Sequence, residues 1–116
     1  MNEWNEKVLT YHNDIRKKHN LKPIEHSKRI CQECNIHTEN MKSKSNLYHQ
    51  CKPTTLQNVA YSLGTKFVEK PSKFIDLWYN HEGHRKTILD PKIQYIGSSY
   101  SYDQNNKGIY VCCNYE

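Results

Sequence analysis

The spacing of apolar residues changes period along this chain, and that change limits the fold more than any other feature. Over residues 3 to 19, Trp4, Val8, Tyr11, His12 and Ile15 recur every three or four positions, the rhythm of one helix face. Asn20 suits the exit of that helix. "LKPIEH" follows as an extended connector, because Pro23 pushes Lys22 out of helical space. A second helix is expected from about Ser27 to Lys42, with Ile30, Cys34, His37 and Met41 as its buried stripe. "SKSNLYHQCKPTT" reads as a polar loop, and "LQNVAYSL" fits a strand or a helical turn equally well. A third helix should start at Ser72 after Pro71 and turn Phe74, Ile75, Leu77 and Trp78 inward. A break at Gly83 and a short helical turn through Leu89, stopped by Asp90-Pro91, come next. Only then does the pattern alternate: "IQYIGSSYSY" and "GIYVCCNY" read as two strands joined by "DQNNK". Helices first and a hairpin last predict an α+β fold, with helices packed on a small sheet.

Composition narrows the class. The 116 residues make one domain, 1–116, without an internal repeat or linker. Only 35% are hydrophobic and the mean hydropathy is -1.00, so the core is small; nine Tyr and two Trp argue against disorder. No apolar run approaches the roughly 20 residues of a membrane span. "MNEWNEKVL" lacks the basic start and apolar stretch of a secretion signal. The net charge is +5, but the lysines are scattered among acids and form no stripe interleaved with stacking aromatics. Nucleic acid is therefore not the expected partner.

Five cysteines, Cys31, Cys34, Cys51, Cys112 and Cys113, make an odd count. At least one thiol stays free or pairs outside the chain, and two internal bridges could form in about fifteen ways. Cys31 and Cys34 form a C-x-x-C whose helical face continues to His37. That trio reads as a three-ligand metal cluster, as buried helix thiols, or as part of one disulfide.

"NHEGHR" contains the residue types of the H-E-x-x-H zinc-protease signature at a different spacing. Its histidines stand three apart with a helix-breaking glycine between them, whereas the protease motif needs positions i and i+4 on one helix. The quartet fits better into a longer pattern. "YHNDIRKKHNLKPI" resembles the H-N-x-x-R-x-x-H-x-x-x-P-L opening of the CAP superfamily, which comprises cysteine-rich secretory proteins, antigen 5, pathogenesis-related 1 proteins and bacterial SCP-like domains. "NLYHQC" resembles its loop histidine and "LQNVAYS" its G-E-N-[IVL]-A segment. "LWYNHEGHRKTILDPKIQYIG" is similar to the bacterial-type W-x-N-S-x-x-H-R block, and "GIYVCCNY" to the last strand. The likeness covers nearly the whole chain, in order.

The resemblance implies an α-β-α sandwich with a small antiparallel sheet and an open cleft. In that cleft the family gathers two histidines and two acids able to hold a divalent cation, commonly zinc. His49 and His84 match the two histidines. Gln57 stands where the family has glutamate, and His81 where eukaryotic members carry an acid and bacterial ones often serine. Gln57 keeps a carbonyl acceptor but loses the charge. Metal affinity should fall accordingly, with His81 as a compensating third nitrogen ligand. Glu82, Asn58 and Trp78 are expected to line the cleft. His12, Arg16 and Arg85 are expected to brace the fold, and Tyr11, Tyr48 and Tyr79 to serve in the core or cleft wall.

Two functions follow as expectations. The first is a secreted, non-enzymatic binding protein that takes a divalent metal, a lipid or sterol, an anionic membrane surface, or a host or partner protein. The second is a metal-assisted hydrolase built on His49, His81 and His84 with Glu82 as base, which requires an open coordination position. A purely structural or toxin-like interaction module, leaving the cleft unused, is the bland alternative.

Overall fold

The computed structural model describes residues 1–50 and 55–116. Helix α1 (Glu3–Lys18) begins where the Asn2 side chain accepts the Asn5 N–H at 2.8 Å. Trp4, Val8, His12 and Arg16 are its buried residues, a stripe at strict four-residue intervals; Tyr11 and Ile15 only flank it. The chain leaves through Asn20 in the left-handed region, φ 58°. The extended connector contains a two-residue strand, β1 (Glu25–His26). Ser27 then caps α2 (Lys28–Lys44), which buries the expected Ile30, Cys34, His37 and Met41 together with Thr38.

The ambiguous segment is strand β2 (Leu56–Leu63), held by pairing along its whole length. A single helical turn, α3 (Lys66–Glu69), was not anticipated. Helix α4 (Ser72–Tyr79) starts at the expected residue and buries Phe74, Ile75 and Trp78. Leu77 does not turn inward: it is 52% exposed. Its position lies about 110° from the centre of the face those three residues define. The break falls at Asn80–His81 rather than at Gly83. His81 is extended (φ −114°, ψ 126°) and caps α5 (Glu82–Ile88), leaving Gly83 inside the first turn. Strands β3 (Tyr95–Asp103) and β4 (Gly108–Tyr115) form the expected hairpin.

The sheet order is β1-β3-β4-β2. The three long strands are antiparallel, as expected; β1 adds a short parallel pairing to β3, so the whole sheet is mixed. Alternation along β4 sorts the two layers. Ile109, Val111, Cys113 and Tyr115 face α1, α3, α4 and α5, while Tyr110 and Cys112 face α2. The result is an α-β-α sandwich. Gly97 sets the tightness of the α2 side, since a Cβ there would run into the backbone of Ile30 and Cys31. Arg16 locks the other side: its buried guanidinium donates to the carbonyls of Lys22, Ile88 and Asp90, each at 2.9 Å. Among the described residues no helix is long and apolar enough to cross a membrane.

Candidate functional site

Strand β2 is the sheet edge beyond β4, and its successive side chains point to opposite faces. Gln57 therefore meets the α2 layer and Asn58 the α1–α4–α5 layer, and each holds one histidine.

Gln57 Oε1 accepts the backbone N–H of Gln50 at 2.9 Å, which fixes the orientation of the amide. The same oxygen lies 3.2 Å from Nδ1 of His49, so His49 carries its proton on Nδ1 and leaves a lone pair on Nε2, which has no hydrogen-bond partner among the described residues. Gln57 Nε2 donates to Asn114 Oδ1 at 2.8 Å. The loop is steadied from behind, where His37 Nε2 donates to the carbonyl of Tyr48 at 2.8 Å and the two rings meet edge-on.

Asn58 is buried. Its Nδ2 donates to the His84 carbonyl and to Tyr115 Oη, both at 3.3 Å, so Oδ1 must be the acceptor facing Nδ1 of His84 at 2.7 Å. His84 is thus held in the same tautomer as His49, with no partner for Nε2 among the described residues. The bonds continue inward in one direction. Tyr115 Oη–H donates to His12 Nε2 at 2.8 Å, and His12 Nδ1–H donates to the Val8 carbonyl at 2.8 Å. Burial pushes the His12 imidazolium down to about 4, so His12 is neutral at pH 7 and able to accept from Tyr115. Burial is also the main cause that lowers His84, and the nearby charges of His49 and His81 lower it further.

Trp78 donates its indole N–H to the Val59 carbonyl at 3.0 Å and stacks on His84 at 6.3 Å between ring centroids. It both covers the edge strand and walls the site. His81 is exposed, its ring 6.3 Å from that of His84 and nearly perpendicular to it. Glu82 does not join them. The break before it places Glu82 at the start of α5, where its exposed carboxylate pairs with Lys86 at 3.2 Å. Arg85 donates to the Tyr79 carbonyl at 3.1 Å, and Tyr11 Oη donates to Asp76 at 2.6 Å.

The Cys31–Cys34–His37 trio does not converge. Cys34 donates to the Gly97 carbonyl and His37 to that of Tyr48, while Cys31 lies against His26. Among the described residues no three His, Cys, Asp or Glu groups are gathered closely enough to hold a metal ion. Cys31, Cys34, Cys112 and Cys113 are free thiols; Cys51 lies outside the described residues. Asn114, Tyr115 and the link to His12 were not foreseen. Their one signal is a polar "NY" ending an otherwise apolar strand.

A model of the cysteine-rich secretory protein (CAP) family matches residues 9–115. The curated protein YkwD of Bacillus subtilis, itself uncharacterized, is 28% identical over 108 residues, covering 84% of this chain and 42% of that protein. The chain thus spans about two fifths of that relative's length. An extracellular SCP-domain protein of Bacillus anthracis superposes with a TM-score of 0.77 at 20% identity, over 97% of this chain and 39% of the other. An outer surface protein of Borrelia burgdorferi gives 0.76 at 15% identity, over 96% and 90%. The sandwich, the edge-strand amides with their histidines, and the match along nearly the full chain lead to one conclusion: this chain belongs to the cysteine-rich secretory protein (CAP) family.

Proposed function

We propose that this domain is an extracellular binding module, not a hydrolase, whose site takes a divalent transition-metal ion through Nε2 of His49 and His84. The observation that carries this reading is the pair of amide–imidazole bonds. Each histidine gives its Nδ1–H to a fixed amide oxygen, the arrangement that orients an imidazole as a metal ligand. Neutral nitrogens suit zinc or a similar borderline ion rather than magnesium or calcium. Because the described groups do not form a closed cluster, binding is weak and open, and the exposed His81 side chain swings in as the third imidazole. A bound ion would supply positive charge to an anionic partner at this edge. The hydrolase alternative needs a base, and Glu82 is engaged with Lys86 instead.

The test is a calorimetric zinc titration of the wild type and of His49→Ala/His84→Ala. The expected result is one site in the wild type that the double variant loses. Equal heats from both proteins would sink the metal reading. Retention of sterol or palmitate with no zinc uptake would move the function to the lipid class that the family resemblance also implies.

A further inference from the structure

The opposite edge of the sheet carries a second set of reactive groups. Cys31, in the first turn of α2, lies against the ring of His26 on β1, 3.5 Å from Nε2 and 3.9 Å from Nδ1. Its sulfur also accepts the backbone N–H of Ser98 on β3 at 3.3 Å. Ser98 is itself pinned, because Asn5 Nδ2 donates to its carbonyl at 3.0 Å and to its hydroxyl at 2.7 Å. Cys31 and His26 are half-buried and open into a groove of about 830 Å³ between α1 and α2. Trp4, Tyr100 and Ile36 give the groove apolar walls, and Asn5 and Gln32 add amides. The other described thiols are sealed: Cys34, Cys112 and Cys113 are all 0% exposed.

We propose that Cys31 is a thiol nucleophile with His26 as its general base, and that this groove is a site of thiol–disulfide exchange with a peptide-sized disulfide. The half-buried His26 ring turns a nitrogen to the sulfur, and the Cys31 thiol passes its proton to that nitrogen as the sulfur attacks one sulfur of the incoming disulfide, while the Ser98 N–H stabilises the developing thiolate. A Cys31–sulfur bond forms, the disulfide bond of the reagent breaks, and the departing thiolate takes up the proton held by His26. No external oxidant is needed beyond that disulfide. Burial raises the Cys31 thiol and lowers His26, so the resting pair is neutral and the proton moves only during attack.

The probe is glutathione disulfide, added to the folded full chain in wild type and in a Cys51→Ser background, with adducts located by peptide mapping. In the Cys51→Ser background one adduct is expected, on Cys31, while Cys34, Cys112 and Cys113 react only after unfolding. His26→Gln should slow the Cys31 reaction by about tenfold or more near neutral pH. It should also move the onset of the rate–pH profile from the imidazole range to the thiol range. His26→Asn serves as a second variant, and circular dichroism checks that each is folded. Modification of the buried thiols as fast as Cys31, or an unchanged rate and pH profile in both folded His26 variants, would overturn the proposal.

Discussion

Asn58 Oδ1 lies 2.7 Å from Nδ1 of His84, and this contact ties the edge of the sheet to the start of α5. It is also the outer end of the hydrogen-bonded chain through Tyr115 and His12 to the Val8 carbonyl. Asn58→Ala leaves the His84 ring free to rotate and two buried partners without their donor. A loss of about 2 kcal/mol in urea unfolding is expected. Zinc binding measured on the folded fraction should weaken by about tenfold or more.

Gln57→Glu puts a carboxylate behind His49. The amide it replaces donates to Asn114 Oδ1, and the buried Nδ2 of Asn114 has no partner among the described residues. Rotation of the Asn114 amide presents that nitrogen to the new carboxylate, so the change should cost no more than about 1 kcal/mol. The added negative charge should tighten zinc by about tenfold, read by calorimetry.

Stability should fall on mild acidification. His12 is pushed down to about 4 when folded, whereas an unfolded histidine titrates near its ordinary 6.5. Between these values the unfolded chain binds a proton that the folded chain refuses. Folding is therefore strongest above about 6.5 and is weakened as the pH drops toward 4, by up to about 3 kcal/mol from this group. His37 and His84, lowered chiefly by burial, act in the same direction. Urea midpoints from pH 7.5 to 4.5 would show the slope, and His12→Gln should flatten much of it while lowering stability at pH 7.

Gly97→Ala should be severe. The new methyl group meets main-chain atoms of Ile30 and Cys31, which cannot rotate away as a side chain would. Helix α2 must lift from β3, and a loss of about 3 kcal/mol is expected in thermal or urea melts. Leu77→Ser, on an exposed position, serves as the control and should shift stability by less than about 0.5 kcal/mol.

The helical stripe of α2 and the terminal hairpin were legible because period reports burial directly. The place of the α4–α5 break was not. Glycine is a good sign of a break, yet an extended His81 made it two residues earlier, and Gly83 fits the first turn of α5. Leu77 misled because an apolar residue next to a buried stripe looks like part of it. For the site, family pattern named His49, His84, Gln57 and Asn58 as candidates, but not how they contact one another. That depends on pairing: Gln57 sits opposite Asn114 and Asn58 opposite Cys113, and only this register puts Tyr115 within reach of Asn58. His12 reads as a helix stripe residue, and its bond to Tyr115 spans most of the chain.

Because Gln57 and Asn58 are adjacent on an edge strand, the two imidazoles reach the same rim from opposite sides of the sheet. A pairing error of one residue between β2 and β4 would turn each amide toward the wrong layer. Both histidines would then lose their anchors at once. The rim is an all-or-none reporter of how β2 has zipped onto its neighbour, and a chain misfolded there presents two unguided imidazoles.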